Sequence, residues 1–241
     1  MDDTDVMQDS GRSATPPPPF DLAAEVARRN WFHSIDFGSG VISEGHRPHH
    51  ILMEEADFIF RDMQPGDSVL DVGAWDGGYS FEAKRRGAGR VLATDHYCWV
   101  GDGWGKKETF DFARATLRLD VEDAVMDVPE LTVATVGRFD VVVFLGVFYH
   151  LRHPFLAMQN LSEIATKQLV VGTHLDALEL DRPAMVFYPG TELQGDPTNW
   201  WGPNPRCVLD MLSVLGFTHT EFMPHPHFAR VGLFRGTKGE S

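Results

Sequence analysis

The 241-residue chain is poor in several things. It has two cysteines, four tyrosines, and 21 lysines and arginines against 35 aspartates and glutamates. The cysteines, Cys98 and Cys207, form no CxxC pair and are too few for a disulfide scaffold, so a reducing, cytoplasmic setting is expected. Long apolar runs are missing: none approaches the ~18 residues that suggest a membrane span. The segment Met1-Asp2-Asp3-Thr4-Asp5 is acidic where a secretion signal is basic, and no apolar stretch follows it, so no membrane partner is expected. The formal charge of −14 argues against broad binding to a polyanion, which needs clustered Lys and Arg. A local basic patch is still compatible with that charge.

What is present is a sizeable core. Apolar residues make up 43% of the chain, which excludes global disorder and suits one large domain with appendages. Residues 1–19 are polar and acidic and end in Pro16-Pro17-Pro18-Pro19, the pattern of a disordered tail with a stiff spacer. Residues 20–63 read as an N-terminal cover. A short helix is expected over Leu22–Asn30, a hairpin or covering loop over Trp31–Gly45, and a helix over Ile51–Met63.

Residues 64–241 then become regular. Strands are expected at Ser68–Gly73, Val91–Thr94, Leu117–Leu119, Phe139–Leu145, Gln168–Gly172, Thr218–Met223 and Arg230–Gly236. Helices are expected at Tyr79–Arg86, Phe110–Leu117, Leu156–Ala165 and Arg206–Leu215. The unbroken apolar run Val141-Val142-Val143-Phe144 suits a strand covered on both faces, hence a parallel sheet. The alternation of strands and helices predicts an α/β, Rossmann-like doubly wound fold. Residues 183–205 are long for a connection and hold Trp200-Trp201, so they read as a functional lid.

Asp71-Val72-Gly73-Ala74-Trp75-Asp76-Gly77-Gly78 follows the first of these strands and opens a helix. Glycines there let backbone approach a ligand, and a helix N-terminus offers N–H groups to an anion. Asp95 ends the next strand, 24 residues after Asp71, where a carboxylate can accept both hydroxyls of a ribose or simply cap the next segment. Either feature fits any nucleoside cofactor. Gly101–Lys107 has the wrong spacing for a phosphate-binding Walker loop, Gly78-Tyr79-Ser80-Phe81-Glu82 lacks the closing glycine of a hydrolase elbow, and no Tyr-x-x-x-Lys pair occurs. The acidic residue ahead of the glycines is typical of S-adenosylmethionine (SAM) sites rather than NAD sites. Asp120-Val121 is the expected adenine contact, with Glu122 or Asp123 as local alternatives.

Three stretches carry a family resemblance: Trp31-Phe32-His33-Ser34-Ile35-Asp36, Leu70-Asp71-Val72-Gly73, and Phe139-Asp140-Val141-Val142 continuing through Leu145-Gly146-Val147-Phe148-Tyr149-His150-Leu151-Arg152-His153-Pro154. The chain resembles class I SAM-dependent methyltransferases, and within them the branch of the tRNA wobble-uridine 5-oxyacetate (carboxymethyl) methyltransferase. The resemblance spans roughly residues 31–237. It implies a seven-stranded sheet with an antiparallel last strand, SAM as cofactor, and a cofactor seat over the ends of the first and fourth strands. Trp75 stands where the usual glycine run has its middle glycine, which predicts a wider loop with Trp75 packing near the cofactor. No lysine around Trp31–Gly45 matches the one that holds a carboxylated cofactor in that branch, so ordinary methyl transfer is the expectation.

The resulting cofactor candidates are Asp71, Gly73, Ala74, Trp75, Gly77, Asp95, His96, Asp120, Val121, Leu145 and Tyr149. The catalytic candidates are His150, Tyr149 and His33. His150 and Tyr149 could equally be a buried hydrogen-bonded pair, and His33 a structural residue. Asp36, His174, Tyr188, Trp200 and Trp201 are candidates for touching the acceptor. His46, His49, His50, His225 and His227 lack a paired Cys or carboxylate at ligand spacing, so they read as solvated and no metal is expected. Trp104 could clamp the cofactor or pack into the core. The expected function is methyl transfer to a small metabolite, with a tRNA wobble-base methyltransferase and a catalytically silent SAM- or nucleoside-binding protein as alternatives.

Overall fold

A computed structural model describes residues 20–100 and 105–239. The expected tail over residues 1–19, and Trp104, lie outside the described residues. The chain opens with α1 (Leu22–Ala27), β1 (Trp31–His33), β2 (Gly45–Arg47) and α2 (His49–Ile59). It continues with β3 (Val69–Val72), α3 (Gly78–Arg85), β4 (Val91–Asp95), α4 (Tyr97–Val100), α5 (Lys107–Leu117) and β5 (Glu122–Val125). Then come α6 (Val133–Val136), β6 (Phe139–Leu145), α7 (Pro154–Ile164) and β7 (Ala165–His174). The last elements are β8 (Met185–Phe187), β9 (Trp201–Pro203), α8 (Pro205–Val214), β10 (His219–Pro224) and β11 (Val231–Thr237).

Seven strands form one sheet in the order β10-β11-β7-β6-β3-β4-β5. β3 pairs in parallel with β4 and β6, and β6 in parallel with β7. The last strand, β11, inserts antiparallel between β7 and β10, as expected. The physical reason is the short β10–β11 connection, since a tight turn joins antiparallel neighbours whereas a parallel pair needs a crossover. Both faces are covered. Ile59, Phe81 and Phe110 from α2, α3 and α5 pack on one face. Met158, Leu161 and Ile164 from α7, with Val208 and Leu212 from α8, pack on the other. Val141–Phe144 is accordingly buried throughout.

Two local expectations are corrected. Trp31–Gly45 is not a simple hairpin: β1 and β2 run parallel, with Trp31 opposite Gly45. Leu117–Leu119 is not extended, because α5 runs through Leu117 and ends at Arg118 in the left-handed region (φ 54°), so the strand begins only at Glu122. Within residues 183–205, β8 and β9 pair antiparallel. No helix among the described residues is long and apolar enough to cross a membrane.

Candidate active site

The carboxyl ends of β3, β4, β6 and β7 open into a cavity of about 600 Å³. That is the edge where an open α/β sheet leaves a crevice. Its floor is the turn after β3. Asp71 is buried there and accepts a hydrogen bond from Ser80 Oγ at 2.6 Å. Burial pushes its carboxyl up to about 6, against the opposing pull of the Ser80 hydroxyl and of His33. Gly73 follows with φ 78°, a conformation that favours glycine.

The turn is tied to β4. Gly73 N–H and Ala74 N–H both donate to the Thr94 carbonyl, at 2.8 and 3.0 Å. Trp75 N–H donates to Asp95 Oδ2 at 3.0 Å, and Gly77 N–H to the Ala74 carbonyl at 2.7 Å. These backbone donors are therefore used within the protein. A pyrophosphate needs such N–H groups, and this turn instead offers the carboxyls of Asp71 and Asp95. Asp95 Oδ1 also accepts from Cys98 N–H at 2.9 Å, so the capping role is present while the carboxyl still lines the cavity. Burial raises its pKa.

Trp75 is held in the left-handed region (φ 49°) and stacks on Phe32 with ring centroids 4.2 Å apart. Trp75 lines the cavity. Phe32 and His33 are brought there by a residue outside the candidate set. Asp76, fully buried, accepts from Phe32 N–H at 2.7 Å and His33 N–H at 3.1 Å, with His33 Nδ1 at 3.3 Å from its other oxygen.

The opposite wall comes from the turn after β6. Leu145, Tyr149 and His150 line it. His150 Nδ1 lies 3.0 Å from Thr198 Oγ1 and 3.2 Å from the Thr198 carbonyl, and burial lowers its pKa, so it is a neutral ring engaged with residues 193–200. Trp200 N–H donates to the Tyr149 carbonyl at 2.8 Å, and Arg152 sits 4.9 Å over the Trp200 ring. Burial raises the Tyr149 phenol.

Of the sequence candidates, Asp71, Gly73, Trp75, Asp95, His96, Leu145, Tyr149, His150, His33, His174 and Trp200 face the cavity. Ala74 and Gly77 stand behind it as part of the turn. Asp120 and Val121 do not reach it: they precede β5, at the end of the strand away from the cavity, and Met126, Asp127 and Val128 line the cavity beyond that strand. Asp36 closes its own turn by accepting from Gly38 N–H at 2.8 Å, away from the cavity. Tyr188 reaches the cavity wall only through His174, and Trp201 packs against Phe187.

A polar cluster was not anticipated. Arg47 and Glu55 line the cavity and lie 3.2 Å apart. Glu55 also accepts from Tyr79 Oη at 2.5 Å and lies 3.0 Å from His225 Nε2. Burial raises the Glu55 pKa, but His225, Arg47 and Tyr79 together outweigh it and the carboxyl ends below its ordinary value. His225 is thus a buried partner of a carboxylate and not a solvated histidine, because β10–β11 folds it onto α2.

Two predictions arise here. A Cβ on Gly73 would lie 2.4 Å from Val147 Cγ2, a stiff β-branched side chain, in a backbone conformation unfavourable to alanine. Gly73→Ala is expected to lower stability by about 1–3 kcal/mol, and Val147→Ala added to it should restore the steric part; urea denaturation measures both. Asp71 predicts a pH dependence. Between its ordinary value of 3.8 and about 6, the folded chain holds a proton that the unfolded chain releases. Its contribution to stability is therefore complete at acid pH and is lost as pH rises through that window. Urea midpoints measured across it should fall in the wild type relative to Asp71→Asn; parallel curves would contradict this.

No known family model and no curated protein sequence matches the chain. Solved structures do match its fold. The N-terminal domain of EvdMO1 with S-adenosylhomocysteine (SAH) bound superposes with a TM-score of 0.64 at 21% identity, over 90% of this chain and 94% of that one. Magnesium protoporphyrin IX methyltransferase (ChlM) from Synechocystis PCC 6803, also with SAH, gives 0.57 at 15%, over 79% and 83%. The Burkholderia thailandensis 1,6-didemethyltoxoflavin-N1-methyltransferase, with bound 1,6-didemethyltoxoflavin and SAH, gives 0.59 at 13%, over 79% of each chain. The chain thus shares the Rossmann-like fold of SAM-dependent methyltransferases.

Proposed function

We propose that the chain is a SAM-dependent methyltransferase acting on a small-molecule acceptor. The observation that carries this is the turn after β3. Its backbone N–H groups at Gly73, Ala74 and Trp75 are consumed by Thr94 and Asp95, and its floor is acidic. Such a floor disfavours a dinucleotide pyrophosphate and suits a nucleoside that carries a cation. The left-handed Gly73 gives the backbone a close approach, so the residues present fit the cofactor. When bound, SAM supplies an already activated methyl group on a sulfonium.

What remains for the protein is alignment and exclusion of water. Asp95 would accept the ribose hydroxyls, Met126–Val128 would flank the adenine, and Asp71 would face the cationic end. The aromatic faces of Trp75 and Tyr149 can hold a sulfonium. The segment holding Thr198 and Trp200, bonded to His150 and Tyr149, would cover the acceptor as a lid.

A small acceptor is favoured over tRNA by the net charge of −14 and by Arg47, whose charge is met inside the cavity by Glu55. All three structures above carry SAH, and two are named as enzymes of small ring compounds. Thermal denaturation with and without SAH tests the proposal. A rise in Tm that grows with SAH concentration is expected, and no shift at saturating SAH would overturn it.

A further inference from the structure

Three side chains form a line that ends on the cavity wall. Asp176, just beyond β7, accepts from Arg230 Nη1 at 2.8 Å and from Ala177 N–H at 2.7 Å, and contacts that include Tyr188 keep its pKa below the ordinary value. Tyr188 Oη donates to Asp176 Oδ2 and lies 3.4 Å from His174 Nε2. His174 is the last residue of β7 and lines the cavity.

The packing holds this line in place. A Cβ at Gly202 of β9 would fall 2.5 Å from Tyr188 Oη and 2.8 Å from Asp176 Cβ, so only glycine leaves room for the pair. Asp176 N–H donates to the Pro203 carbonyl at 3.0 Å. Tyr188 and His174 are both buried.

The line dictates a tautomer. The Tyr188 hydroxyl hydrogen is committed to the Asp176 carboxylate, so toward His174 the phenolic oxygen can only accept. Nε2 must then carry the imidazole hydrogen, which leaves the lone pair on Nδ1. The one ring hydrogen-bond contact of His174 among the described residues is at Nε2, and the ring borders the cavity.

We infer that His174 Nδ1 is the general base for an acceptor hydroxyl, with Tyr188 and Asp176 as positioning residues, so that the transfer is an O-methylation. This rests on the methyl-transfer reading above. As the acceptor oxygen bonds to the methyl carbon of the donor substrate, the sulfur–methyl bond breaks and its electron pair stays on sulfur. The cationic sulfonium becomes a neutral thioether. The hydroxyl proton passes to His174 Nδ1, and the resulting imidazolium is stabilised through Nε2–H, Tyr188 and the Asp176 carboxylate until the proton leaves to solvent.

Burial lowers the His174 pKa from its ordinary 6.5, so the free base is the resting form at neutral pH. The groups facing it are Asp176 and Tyr188, Arg230 from the β10–β11 turn, and Tyr149, whose ring lies 6.5 Å away.

The test has two arms. In the full chain, ¹⁵N NMR of histidine should show His174 neutral and Nε2-protonated at neutral pH, with that preference lost in Tyr188→Phe. An Nδ1-protonated ring in the wild type would overturn the inference. The second arm measures methyl transfer from SAM to 4-methoxyphenol, 4-methoxyaniline and 4-methoxybenzenethiol, which present O–H, N–H and S–H on one skeleton. Transfer to the phenol is expected, falling by about 10²–10⁴-fold in His174→Gln with SAH affinity unchanged. In the wild type it should also fall as pH drops through the His174 pKa. Transfer to the amine or thiol alone, or a His174→Gln rate within twofold of wild type, would overturn it. Failure of wild-type chain to bind SAH would instead remove the methyl-transfer reading itself.

Discussion

Asp95→Ala is expected to weaken SAH binding by about 100-fold or more, the largest effect on affinity of any single change in the cavity. The carboxylate stands at the end of β4, oriented by Trp75 N–H on one oxygen and Cys98 N–H on the other. Each oxygen keeps a second lone pair for a ribose hydroxyl. A hydrogen bond to a charged acceptor contributes about 1.5–3 kcal/mol, so losing two corresponds to roughly two to four orders of magnitude in Kd. Calorimetric titration of the variant with SAH measures this. Affinity within threefold of wild type, accompanied by a lowered Tm, would assign Asp95 to capping Cys98 alone.

The largest effect on stability is expected at Asp76. Its carboxyl is fully buried and accepts the N–H groups of Phe32 and His33, joining the N-terminal segment to the glycine turn. Asp76→Ala leaves the half-buried Phe32 N–H and the buried His33 N–H without this partner, at a cost of about 3–5 kcal/mol. For a chain of this size that corresponds to a fall in Tm of roughly 10 °C. Scanning calorimetry measures it, and limited proteolysis under native conditions should cut between β1 and β2 faster in the variant. A loss under ~1 kcal/mol would contradict the role given to Asp76.

The sheet was legible because its signals are redundant. Val141–Phe144 suits a doubly covered strand, and Asp71 to Gly78 marks the first β–α turn with both composition and position. Which residues after β4 reach the cavity was not legible, because one backbone conformation decides it. Arg118 adopts a left-handed φ, which sequence pattern does not specify for arginine, and this delays β5 to Glu122–Val125, so that Met126 rather than Asp120 reaches the cavity. The Arg47–Glu55–His225 cluster was invisible for another reason: its members come from β2, α2 and the β10–β11 turn, and only the closed sheet brings them together. Asp76 could have been found, since a carboxyl between glycines at a helix start has either backbone or ligand to meet. Tyr188 and His174 were singled out separately, as two acceptor contacts. The structure makes them consecutive, with Tyr188 behind His174.

The most direct measurement of the central claim is calorimetric titration of the full chain with SAH and, separately, with NADH. A single SAH site that is lost in Asp95→Ala, with no heat from NADH, is the expected result. Binding of NADH, or no binding of SAH, would contradict the assignment of this cavity to a methyl donor.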